Sequence, residues 1–281
     1  GAIAAEASIA DVAALQALIN SVDASLSAFA AVQAAATSSD ASGITIDVLD
    51  DIIGLTLIAA NISDYQVAIA AESSIVDVAA LQALISNVDN TVGAFAAVQA
   101  AATSSDASGL TLTTLSNIDG LIYTDANFAD YQAAIAAEVS IADVAALQAL
   151  IDSVDSSVNA FAAVQLAATN SDASGISSTT LSNIIGLTFD SANLVDYQGA
   201  IAAETGIVDA AALQALINSV DASLDAFATV QVAATNSDAS TLTTDTLTAI
   251  RTLTFDGANF ADYQGAIAAE ASIADVAALQ A

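Results

Sequence analysis

The segment SIADVAALQALIDSVDSSVNAFAAVQLAA, residues 140–168, decides the fold. Leu147, Ile151, Val154 and Phe161 follow one another at intervals of four, three and seven, which places them on one face of an α-helix. Alanine fills much of the rest; it is the best helix former and has no side-chain entropy to lose. The pattern predicts a long helix from about Ile141 to Ala168, opened by a capping box in which Ser140 is followed three residues later by Asp143. At 1.5 Å per residue such a helix is roughly 42 Å long.

The same stripe recurs along the chain. AIAAE begins at Ala2, Ala68, Ala134, Ala200 and Ala266, an interval of 66 residues each time, with no insertion or deletion. Residues 1–17 are identical to residues 265–281. Leu15, Leu81 and Leu213 match Leu147, and Ile19, Ile85 and Ile217 match Ile151. Val22, Val88 and Val220 match Val154, and Phe29, Phe95 and Phe227 match Phe161. Asn20, Ser86, Asp152 and Asn218 vary among small polar types, as on a solvated face. The boundaries read as the end of a cut repeat (its third helix) at 1–7, repeats at 8–73, 74–139, 140–205 and 206–271, and the start of another at 272–281. The array is expected to continue past both ends.

Each repeat carries the signals of three helices. The capping box recurs as Ser8 with Asp11, Ser74 with Asp77 and Ser272 with Asp275; the fourth repeat has Gly206 and Asp209. A polar loop follows the long helix at Ser38–Gly43, Ser104–Gly109 and Asn170–Gly175, and the fourth copy replaces the glycine with Thr241. Thr45, Thr111, Ser177 and Thr243 are placed to cap a short second helix, with Gly54, Gly120 and Gly186 as its stop. The third helix runs from about Ala192 to Glu204 in the third repeat, with Thr124, Asp190 and Asp256 as caps and Ile58 in that position of the first. A three-helix unit of this size buries little surface alone. The expected fold is therefore all-α: tandem 66-residue three-helix repeats stacked as a solenoid or rod.

Composition narrows the function. The 281 residues carry a formal net charge of -31, Arg251 is the only basic side chain, and His, Cys, Met, Trp and Pro are absent. Such a chain cannot neutralise phosphates, which excludes nucleic acid as a direct partner and argues against anionic membranes. Polar residues interrupt every apolar stretch, so no membrane insertion is expected. Acid–base and nucleophilic catalysis lack His, Cys and Lys, and a glycosidase cleft lacks its aromatic walls, so the chain does not read as an enzyme.

Calcium is the one cofactor to weigh. Asp40, Asp106, Asp172 and Asp238 sit in the polar loops, but one carboxylate per loop falls short of the several that calcium usually takes, and turn formation is the preferred reading. The repeated Asp-Tyr-Gln at Tyr65, Tyr131, Tyr197 and Tyr263 forms either a recurrent contact patch or packing residues with wet hydroxyls, the second preferred.

SIAD, together with the segment marked by Leu112, Leu115, Asn117 and Gly120, resembles the helical repeats of very large bacterial cell-surface proteins and adhesins. The resemblance implies a secreted, surface-attached or filament-forming role and carries no functional residues across. The expected function is a structural repeat region of an extracellular bacterial fibre or surface stalk. Its partners would be itself, neighbouring repeats or identical chains, with other surface proteins as further candidates. The alternative is a repeated adhesin module binding a host or matrix protein. A calcium-rigidified extender is a third, weaker reading.

Overall fold

The computed structural model describes residue 9 and residues 11–281, and all regular structure among them is helical, with no strand. Four long helices, α1 (Val12–Ser38), α4 (Val78–Ser104), α7 (Val144–Thr169) and α10 (Ala210–Thr235), each precede a short helix. The short helices are α2 (Ile46–Asp50), α5 (Leu112–Ser116), α8 (Ser178–Asn183) and α11 (Thr244–Ala249). A single 3₁₀ turn then leads into a ten-residue helix: α3 (Ile62–Ala71), α6 (Phe128–Ala137), α9 (Leu194–Ala203) and α12 (Phe260–Ala269). A final short helix, α13 (Val276–Gln280), repeats the start of α1. The segment 1–7, expected as the end of a third helix, and Ser8, expected to cap α1, lie outside the described residues.

The long helices begin about three residues later than the periodicity predicts. Asp11, Asp77, Asp209 and Asp275 are the N-caps, in extended conformation, and their carboxylates accept the N–H three residues on. Asp143 Oδ1 accepts from Ala146 N at 2.8 Å in the same way. The serines of the expected capping box, Ser74, Ser140 and Ser272, stand outside the helix. The physical reason is the residue after each serine. Ile75, Ile141, Ile207 and Ile273 are buried in an extended entry segment. Their carbonyls accept hydrogen bonds from Gln33, Gln99, Gln165 and Gln231 Nε2 at 2.8–3.1 Å, so they are not free for a helical turn. Gly206 replaces the serine in the fourth repeat without disturbing the cap, as follows if aspartate alone does the capping.

At the other end Ser39, Ser105, Ser171 and Ser237 turn into the left-handed region, at φ 51–54°. The N–H groups of Ser39 and Asp40 return to the carbonyls of Ala36 and Ala35, closing a Schellman-type turn. Glycine is the usual residue there; serine bears a Cβ cost. Gly54, Gly120 and Gly186 also have positive φ (75–88°), in the turn after the short helix, and Thr252 takes that conformation in the fourth repeat at φ 67°.

Two compact units are distinguished, Gly1–Asp152 and Ser153–Ala281, with the boundary inside α7. In the first, Val32 and Ala36 of α1, Leu49 of α2 and Tyr65 and Ile69 of α3 pack into one core with Leu81 and Ile85 of α4. In the second, Val164, Leu181, Tyr197 and Ile201 form a core with Leu213 and Ile217, the N-terminal half of α10. The C-terminal half of the same helix, through Val230 and Ala234, walls another core with Leu247, Ile250 and Ile267. A packing unit thus runs from the middle of one long helix to the middle of the next, offset from the boundaries that the sequence period suggests. Each fully buried Leu or Ile contributes about 1.5–3 kcal/mol to that arrangement.

Candidate contact site at the tyrosine–aspartate–asparagine junction

The Asp-Tyr-Gln segments lie in the first turns of α3, α6, α9 and α12. Tyr65, Tyr131 and Tyr197 point inward and are buried, while Tyr263 is half-buried. A recurrent tyrosine contact patch is therefore ruled out at the first three positions, and their hydroxyls are not wet either. Each hydroxyl accepts the main-chain N–H seven residues upstream: Ile58 at 2.8 Å, Thr124 at 2.9 Å, Asp190 at 3.1 Å and Asp256 at 3.3 Å. This bond ties the ten-residue helix to the strand-like segment that enters it.

The phenol proton goes to the next long helix. Tyr65 donates to Asp89 Oδ1 on α4, and Tyr197 donates to Asp221 Oδ1 on α10 at 2.5 Å. The same carboxylate oxygens accept from Asn61 Nδ2 at 2.7 Å and Asn193 Nδ2 at 2.9 Å, from the 3₁₀ turns. Burial pushes the Tyr65 phenol up to about 12, and the carboxylate of Asp89 adds to that rise. Tyr197 is raised for the same reasons, burial first and Asp221 second. Phe189 and Phe255 meet Tyr197 and Tyr263 edge to face, at 6.4 and 6.2 Å.

The glutamines complete the junction. Gln82, Gln148, Gln214 and Gln280 grip the backbone of one residue each, accepting from the N–H and donating to the C=O of Thr56, Ile122, Thr188 and Thr254 at 2.7–2.9 Å. Ser25, Thr91, Ser157 and Ser223 accept the N–H of Ile53, Asp119, Ile185 and Arg251 at 2.9–3.1 Å. Gln66 and Gln198 donate to the carbonyls of Ile44 and Ile176, and Gln132 and Gln264 donate to Leu110 and Leu242. These side chains are neutral and are consumed by backbone groups. Their chemistry is that of fasteners. The sequence signal for them was their recurrence at fixed polar positions in every repeat, which core periodicity does not pick out.

The loop aspartates make Asx turns. Asp40, Asp106, Asp172 and Asp238 Oδ1 accept the N–H two residues on, from Ser42, Ser108, Ser174 and Ser240, at 2.9–3.0 Å. The serine hydrogen bonds hold these carboxyls below the ordinary aspartate value. Among the described residues no group of three or more carboxylates converges as a metal cage would require. Arg251 places Nη1 on Ser219 Oγ at 2.9 Å, beside a cleft of about 290 Å³ that it shares with Asp196 and Ser223.

α1 is long and apolar enough to cross a bilayer, with a mean hydropathy of 1.3 over its best stretch, a property the broken apolar runs did not suggest. No family model, curated protein or solved structure matches the chain.

Proposed function

We propose that this chain is a structural repeat region of an extracellular bacterial fibre or surface stalk, with its three-helix repeats stacked as a solenoid or rod, self-associating or joined end to end, and with no catalysis. The observation that carries the reading is the use made of the recurrent polar residues. Tyr65, Asn61 and Asp89, with the glutamines around them, fasten one helix group to the following long helix. A binding module would hold its recurrent polar residues out to solvent; here they are spent on internal order.

Charge supports the same reading. The formal charge of -31 over 281 residues gives, as -31 × 66/281, about seven negative charges per repeat. Such a surface keeps neighbouring rods soluble at low ionic strength and is screened within about 8–10 Å in salty medium. The near absence of Lys and Arg removes trypsin sites, which suits life outside the cell, and the absence of cysteine is compatible with export.

Electron cryo-microscopy of the native material tests the proposal. Continuous filaments with an axial repeat matching one 66-residue unit are the expected result. Separate flexible beads that retain a soluble partner on pull-down would replace it with the adhesin reading.

A further inference from the structure

Arg251 is the one basic residue beside 32 aspartates and glutamates, yet it is spent on none of them. Among the described residues its guanidinium forms no ion pair; Nη1 donates to Ser219 Oγ at 2.9 Å, and the group has further N–H donors to give. Arg251 and the exposed Asp196, in the first turn of α9, both line the cleft of about 290 Å³. The rest of its wall is largely apolar: Ala200 and Val220 are buried and Leu224 is half-buried. Ser223 holds the turn that delivers the arginine, accepting the Arg251 N–H at 2.9 Å.

Two separate substitutions meet at this junction. Arg251 matches Ile53, Asp119 and Ile185, and Gly199 matches Val67, Ala133 and Gly265. Gly199 lies inside α9, where glycine is unfavourable relative to alanine. Crowding does not require it, because a Cβ at that position meets nothing within 4 Å. What the missing side chain supplies is volume in the cleft that Arg251 lines. The end of the chain does not create the opening. At the matching positions of the first repeat, Asp64, Val67, Ala71 and Gly120 are exposed, Val67 at 72%, although the long helix that follows, α7, runs on from Val144 to Thr169.

We propose that this cleft binds a short aliphatic zwitterion, with its carboxylate on the Arg251 guanidinium, its ammonium on Asp196 and its methylenes over Ala200, Val220 and Leu224. A guanidinium takes a carboxylate through two parallel hydrogen bonds. Charge selects against other anions. At a net charge of -31, and with Asp196 in the same cleft, a phosphate or a dicarboxylate meets repulsion that a zwitterion does not. A second copy of the chain fits worse for the same reason: it offers carboxylates to Arg251 but, apart from its own Arg251, no cation to Asp196. The site belongs to one junction and does not depend on the chain forming a fibre.

The single arginine makes the test direct, because the 281-residue chain has one guanidinium Nε–H signal in a nitrogen-correlated proton NMR spectrum. Titration with δ-aminopentanoate is expected to move that signal to saturation, and pentanoate or inorganic phosphate to bind about threefold or more weakly. Asp196→Asn brings δ-aminopentanoate down to the level of pentanoate. Gly199→Val fills the cleft and abolishes the shift, while Gly265→Val, the same change one period on, leaves it intact; circular dichroism checks that each variant keeps its helices. An arginine signal that δ-aminopentanoate at millimolar concentration does not move overturns the inference. Pentanoate and phosphate binding as tightly as δ-aminopentanoate overturns it as well, since that is a bare anion site, and so does a folded Gly199→Val chain that binds like the parent. Should Gly199→Val lose helix, Asp196→Asn decides alone, and an unchanged affinity there sinks the proposal.

Discussion

The helices Val12–Ser38 and Val78–Ser104 share a length of 27 residues, an aspartate cap, the same apolar stripe and the same serine exit. Their C-terminal halves are buried alike: Val32 and Ala36 match Val98 and Ala102. Their N-terminal halves are not. Leu81 and Ile85 disappear beneath α3, whereas Ile19 and Leu26 face water. Identical stripes thus end in different environments, so the stripe specifies what a helix can bury and the preceding helix group decides whether it does. Half of each long helix depends on what comes before it in the chain.

Truncation at matched positions sharpens that comparison most. Ile85→Ala removes a fully buried side chain and is expected to cost about 2–5 kcal/mol, while Ile19→Ala costs about 0.5 kcal/mol or less. Guanidinium unfolding of the two variants measures the gap, and equal losses would break the contrast. The carboxylates come next. Asp89→Ala takes the acceptor from the Asn61 amide and leaves the buried Tyr65 hydroxyl only the Ile58 carbonyl to donate to, and is expected to cost about 1–3 kcal/mol; Asp23→Ala changes stability by less than about 0.5 kcal/mol.

Alkali tests the same junction through its proton. The Tyr65 phenol is raised from 10.0 to about 12, so the neutral form is the one the fold holds. Its contribution is present in full below pH 10 and is lost as pH rises through about 12. Circular dichroism and tyrosinate absorbance followed together should show ionisation of the buried tyrosines coinciding with loss of helix. Tyr65→Phe removes that coupling in the first core. The smallest effect probes where the two helices agree. Ser39→Gly and Ser105→Gly relieve the left-handed cap and should each stabilise by up to about 1 kcal/mol, equally in α1 and α4. Unequal gains would show that the C-terminal halves differ after all.

The helices and most core positions were readable because their signals are local. Leu147, Ile151 and Val154 are buried as the period requires. Thr45, Thr111, Ser177 and Thr243 cap the short helices from the expected positions. What failed was non-local. The start of the long helix shifted because Gln33, forty-two residues before Ile75 in the chain, claims its carbonyl. The tyrosines pack as the preferred reading had them, but their hydroxyls are bonded rather than wet, because the acceptor for Tyr65 is twenty-four residues away, on another helix. Two substitutions in the fourth repeat show the same limit. Thr241 replaces a glycine whose φ is ordinary, and Thr252 replaces one whose φ is positive, yet the two look equivalent as letters.

The glutamine that reaches back to Thr56 and the glutamine that reaches forward to Ile75 set a counting rule for the gene. Gln82 sits twenty-six residues after Thr56, and Ile75 sits forty-two after Gln33. One residue inserted into α4 would rotate everything beyond it by about 100° and pull Gln99 off Ile141 while leaving Gln82 in place. Small insertions and deletions are therefore expected to disturb every junction they touch. A change of 66 residues keeps both spacings in register; a smaller one breaks at least one of them.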